Sequence, residues 1–139
     1  MILVYTNVVA EPLKERAEPR VIAWLDRQEL ETLFLSTITV AEILLGVARL
    51  PAGKRRERLA GAVERDIGRL FAGRILAFDL AAAQAYASLV SIARSRGFSV
   101  AIADGQIAAI AEASRLAVAT RDEAPFRAMG LNTINPWTE

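Results

Sequence analysis

The chain predicts an α/β fold, a mainly parallel central sheet with helices on both faces. Three observations carry this. Short apolar runs at residues 2–4, 33–35, 75–78 and 116–119 alternate with longer amphipathic stretches of helical period, and that order forces parallel strands joined by crossover helices. The opening run, Ile2-Leu3-Val4, has no polar partner face, as expected of a central parallel strand buried on both sides. The third observation is compositional. With 139 residues, 53% apolar and 24% charged, the chain fits one domain spanning 1–139 that buries roughly 70% of its unfolded surface.

In chain order, the first strand ends at Tyr5-Thr6-Asn7, and the carboxyl end of such a strand is where open α/β sheets keep their chemistry. Glu11-Pro12-Leu13 starts a short turn or helix. Pro19 suits the first turn of a helix to about Gln28, with Val21, Ile22, Trp24 and Leu25 as its buried stripe. The second strand, 33–35, ends at Ser36-Thr37. Thr39 is the expected N-cap of the next helix, with Glu42 completing a capping box; Ile43, Leu44 and Val47 follow, and the helix stops near Pro51-Ala52-Gly53. Residues 54–70 form the second helix of this pair, its stripe being Leu59, Val63, Ile67 and Leu70. Gly73 precedes a third strand at 75–78, and Asp79 caps a helix whose Ala82, Tyr86, Leu89 and Ala93 share a face. Gly97 ends it. A helix over 100–114, a strand over 116–119, a short helix over 125–129 and an edge strand at Thr133-Ile134 complete the chain.

Composition excludes much chemistry. There is no cysteine and no histidine, so disulfides, thiolate or imidazole metal sites and Ser-His triads are impossible. Acid–base or metal chemistry must rest on carboxylates, lysine, tyrosine, hydroxyls or bound water. The net charge of +1 is too near neutral to argue for nucleic acid from the total. No run is long and apolar enough to span a bilayer and no basic-then-apolar leader opens the chain, so a cytoplasmic protein without membrane attachment is expected.

Three acids stand out by position. Asp104 falls in the first turn of its helix and shares a face with Ile107, Ala108 and Ala111, where an acid is costly unless paired or bound to a cation. Glu42 lies at the edge of an apolar face. Asp122 follows a buried strand by three residues. Each alone reads as an ordinary first-turn acid or, for Asp122, a cap of the 125–129 helix. Together, with no Lys or Arg in the first turn of either long helix, they are better explained by one shared hard cation. Oxygen donors alone suit Mg²⁺ or Mn²⁺.

The segments MILV-x-TNVV, TVAEILLGVARL, LFAGRILAFD, AIADGQIAAIA, VATRD and the terminal NPW, in this order and nearly end to end, resemble PIN-domain ribonucleases. The resemblance is to the VapC-type toxins of bacterial toxin–antitoxin pairs, and within them to the FitB branch. It implies a three-layer PIN-like fold and a metal-dependent endoribonuclease holding one or two Mg²⁺ or Mn²⁺ ions. Glu42, Asp104 and Asp122 match the acidic positions, Thr6 and Thr120 the hydroxyl positions beside them, and Asn7 a polar position after the first acid. Those resemblances make Asn7 a candidate for touching substrate. It further implies a homodimer, an RNA substrate and a cognate antitoxin whose tail reaches the acidic groove, the complex resting as a larger assembly on its own promoter DNA.

Tyr5 departs from the family pattern, which has aspartate there. A neutral phenol is a poor ligand for a hard dication and is bulkier, so Tyr5 is expected to weaken metal binding and cut activity. Such a residue fits an alteration that makes a toxic product tolerable better than natural decay in a chain otherwise so intact. Two alternatives remain: a non-catalytic subunit that keeps the antitoxin interface, and a small carboxylate-metal phosphohydrolase. The basic stretch Lys54–Arg58 reads as a solvated helix face, Trp24 and Trp137 as packing residues, and Arg121 as a candidate for a phosphate contact. Phosphate-loop and dinucleotide-binding glycine patterns are absent.

Overall fold

The computed structural model describes residues 1–139 and has a five-stranded, all-parallel sheet in the order β3-β2-β1-β4-β5. The strands are β1 (Ile2–Val4), β2 (Leu33–Ser36), β3 (Ile75–Leu76), β4 (Ala117–Ala119) and β5 (Thr133–Ile134). The opening run is the central strand. Ile2 pairs with Leu33 on one side and Ala117 on the other. Successive β1 residues serve opposite faces, as the two-residue period of a strand requires. Leu3 joins the core that includes Ala108, Ile110 and Phe126, while Val4 joins the one formed with Val21, Trp24 and Leu35. Both are essentially inaccessible, at 0% and 1%.

Seven helices enclose the sheet: α1 (Thr6–Ala10), α2 (Pro19–Arg27), α3 (Thr37–Ala48), α4 (Lys54–Leu70), α5 (Leu80–Ser95), α6 (Ile102–Ala113) and α7 (Ala124–Ala128). Small residues set the closeness of α5 and α6. A Cβ at Gly105 would stand 2.7 Å from Tyr86 Cε2 and 3.2 Å from Val90 Cγ2, so the helices meet at a distance only glycine permits. Asp79 caps α5 by accepting from the Ala82 amide at 2.9 Å, as its position predicts.

Several boundaries differ from the sequence reading. The cap of α3 is Ser36, whose Oγ accepts from the Thr39 amide at 3.0 Å. Thr39 is therefore not a cap and Glu42 closes no capping box. The strand runs into the helix without a loop, which carries Thr39 into the fully buried interior. The third strand pairs only at Ile75 and Leu76, and the sixth helix starts at Ile102 rather than near 100, with Val100 packing on the core instead. Leu70 is 37% exposed; the neighbouring Phe71 takes the buried place, because the helix ends there and the chain turns inward. Leu44 is likewise exposed on α3. No helix is long and apolar enough to cross a membrane.

Candidate active site

Because the strands are parallel, the carboxyl ends of β1, β2 and β4 share one edge, and the residues that leave them meet there. Tyr5 extends β1 by one hydrogen bond, its amide donating to Ala119 O at 2.9 Å, and precedes α1. Thr6 opens α1, Thr39 and Glu42 lie one turn apart on α3, and Thr120 leaves β4. Asp104 arrives on the first turn of α6. Residues as far apart in the chain as Tyr5 and Thr120 are thus brought to one rim by the strand order and the helices that follow the strands.

The hydroxyls hold the acids. Thr6 Oγ1 donates to Glu42 Oε1 at 3.0 Å and lies 3.1 Å from Thr39 Oγ1. One hydroxyl has one proton, so the buried Thr39 hydroxyl supplies the second bond and orients the first. Thr120 is fully buried, and its Oγ1 accepts from Asn7 Nδ2 at 3.5 Å. Asn7 Oδ1 in turn accepts from the Arg121 amide at 3.4 Å. Both ends of the Asn7 amide are therefore spent on the segment that carries Asp122.

Tyr5 faces the acids. Its hydroxyl donates to Asp104 Oδ1 at 2.6 Å, and its ring meets Phe126 edge-on, centroids 5.5 Å apart. Partial burial, the hydrogen bond to Asp104 and the negative charges of Asp104, Glu42 and Asp122 together push the phenol far above its ordinary range, so it stays neutral. That three carboxylates act on one hydroxyl means that it lies within the field of all three.

None of Glu42, Asp104 and Asp122 is paired with a lysine or arginine; the ion pairs are Lys14–Glu11, Arg69–Asp66 and Arg127–Glu123. Asp122 is exposed, and it does not cap α7, whose preceding residue is Glu123 with no side-chain cap. In kind, these uncompensated oxygens fit a hard divalent cation. In arrangement they fall short, since no three carboxylates converge within reach of one ion; Tyr5, where the resemblance leads one to expect an aspartate, places a phenol that donates to Asp104.

Beside Glu42 and Thr6 opens a cleft of about 400 Å³ that Lys14 and Arg55 also line, so one residue of the basic stretch at 54–58 shares a cleft with Glu42. Sequence reasoning missed three participants. Thr39 was hidden by its look of a cap, though its three-residue spacing from Glu42 placed the two on one face. Asn135 and Trp137, which anchor the segment after β4, gave no signal beyond the NPW string itself. Asn135 Nδ2 donates to Arg121 O at 3.3 Å, Asn135 Oδ1 accepts from the Trp137 amide at 3.0 Å, and Arg121 Cζ stands 5.3 Å from the Trp137 ring centroid.

Comparison with known proteins bears on the fold and the family. The PIN domain family pattern matches residues 2–131. The chain is 48% identical over 137 residues to the VapC ribonuclease Y4jK of Sinorhizobium fredii, covering 99% of this chain and 98% of the relative. It is 50% identical over 137 residues to the toxin FitB of Neisseria gonorrhoeae, covering 99% of each. Its structure superposes on that of FitAB bound to the IR36 DNA fragment with a TM-score of 0.96, at 49% identity, over 99% of this chain and 96% of the other.

Proposed function

The chain belongs to the PIN-domain family, and from that premise we propose that it is the toxin partner of a toxin–antitoxin pair, built as an endoribonuclease and weakened by Tyr5. As they stand, Glu42, Asp104 and Asp122 do not converge on one ion; with a carboxylate in place of Tyr5 to complete the set, they would be the residues that hold Mg²⁺ or Mn²⁺. When bound, such an ion lowers the pKa of a coordinated water and offsets charge growing on a phosphodiester oxygen. This chain's own residues prepare the place. Thr39 fixes Thr6, Thr6 fixes one oxygen of Glu42, and Thr120 and Asn7 set the segment bearing Asp122. With no histidine in the chain, no imidazole takes part in proton transfer. The observation that carries the reading is the hydrogen bond from Tyr5 to Asp104: a donor stands where the chemistry calls for another anionic acceptor.

The relatives' names, a toxin FitB and FitAB bound to a DNA fragment, support a cognate antitoxin and a joint assembly on DNA; the reading adds a homodimeric toxin acting in the cytosol, where RNA is met. Mg²⁺-dependent cleavage of RNA by the chain and by Tyr5→Asp tests the proposal. The substituted form should cleave at least about 100-fold faster, as expected for restoring a group that stabilises the transition state by several kcal/mol. Equal rates would refute the role of Tyr5, and absence of cleavage in both would refute the nuclease.

A further inference from the structure

We propose that Arg121, seated on Trp137, is a nucleobase-stacking subsite that binds an unpaired RNA base next to the cleaved phosphodiester; this rests on the nuclease reading above. Arg121 is exposed, adjoins Asp122 in the chain, and has no carboxylate within ion-pair distance. Its guanidinium lies over the half-buried Trp137 ring. A cation held by an indole keeps its planar outer face and in-plane donors open to a ligand, whereas one held by a carboxylate does not.

The stack is fixed on both sides. Asn135 alone grips its two members, accepting from the Trp137 amide and donating to the Arg121 carbonyl. Arg20 Nη1 donates to the Trp137 carbonyl at 3.2 Å, and Asn7 accepts from the Arg121 amide. Four hydrogen bonds thus fix the backbone of both members beside Asp122, and the indole holds the guanidinium, a cost in ordering that a merely solvated arginine does not need. Unstacked bases of single-stranded RNA bind on such guanidinium and aromatic planes. In this arrangement Arg121 touches substrate, while Trp137 and Asn135 are positioning residues.

The test is anisotropy of a fluorescein-labelled single-stranded RNA with the chain in EDTA, where cleavage does not intervene. Arg121→Ala should weaken binding about tenfold, the scale of one base stack. Arg121→Lys should recover only part, because charge remains and the plane is lost. Trp137→Leu should resemble Arg121→Ala, and Trp137→Phe should restore affinity. An abasic RNA should bind the parent chain and Arg121→Ala equally. In the Tyr5→Asp background, Arg121→Ala should raise KM and leave kcat nearly unchanged. A tenfold loss that persists on abasic RNA, or full recovery by lysine, would reduce Arg121 to a phosphate contact and overturn the proposal. Unchanged RNA affinity in Arg121→Ala, or no RNA binding by the parent, would overturn it as well. If Tyr5→Asp still cleaves RNA in those cases, the nuclease reading survives without the subsite.

Discussion

Replacing Tyr5 separates its two structural roles, the hydrogen bond to Asp104 and the space it fills. Tyr5→Phe keeps the edge-on contact with Phe126 and removes only the 2.6 Å hydroxyl bond to Asp104. A hydrogen bond to a charged group contributes about 1.5–3 kcal/mol. Both partners are partly open to water, which brings the net loss down to about 1 kcal/mol, or about 3 °C in Tm for a domain of this size. Tyr5→Asp also gives up the aromatic contact, worth about 0.5–1.5 kcal/mol, and sets a new anion beside Asp104, Glu42 and Asp122. Like charges at such a site cost about 1 kcal/mol or more even with effective solvent screening. The metal-free chain should therefore lose about 3 kcal/mol, close to 10 °C. Saturating Mn²⁺ then returns stability by mass action, about 2.7 kcal/mol at a hundred times Kd, and returns far less to the parent. Thermal melts of the three proteins in EDTA and in MnCl₂ measure both effects. If Tyr5→Asp melts in EDTA at or above the parent, or if Mn²⁺ raises both equally, the account of Tyr5 as a neutral donor in the place of a metal-binding carboxylate is wrong.

Two further outcomes follow from named contacts. The folded state holds the Tyr5 proton to higher pH than the unfolded chain does, so the unfolded state is favoured as pH rises above about 10. Relative to Tyr5→Phe, the parent should lose stability there by at most about 1.4 kcal/mol per pH unit, less for a half-exposed group; parallel urea-unfolding curves for the two from pH 9 to 11 would refute it. Gly105→Ala should destabilise by about 1–2 kcal/mol, since the 2.7 Å approach to Tyr86 outweighs the gain in helix propensity; a midpoint in urea at or above the parent's would show that Tyr86 gives way freely.

What the sequence conveyed best was what depends on period and order. Ile2-Leu3-Val4 announces a strand buried on both faces because all three residues are apolar, and its central place follows once every crossover is helical. Asp104 was legible for the same reason, an acid on the Ala-rich inner face of α6. The capping of α3 was not, because Ser36 and Thr39 are equally good caps in isolation. Tertiary demand decides between them, burying Thr39 against Thr6. Leu70 and Phe71 exchange roles for a similar reason, since the helix end is fixed by packing rather than by the stripe. The shelf under Arg121 could not be read at all. Its two halves lie 16 residues apart and meet only through β5, whose two residues leave almost no pattern to detect.

The order β3-β2-β1-β4-β5 has a bearing on how such a protein is made. The amino-terminal strand is synthesised first, yet one of its two neighbours, β4, comes from the last quarter of the polypeptide, together with Asp122. Until that segment leaves the ribosome, the middle of the sheet is open on one side and the rim lacks one of its acids. A nascent or prematurely ended chain therefore presents no finished rim, and the grouping of residues at the sheet's carboxyl edge arises only once the last quarter of the polypeptide is free to add β4.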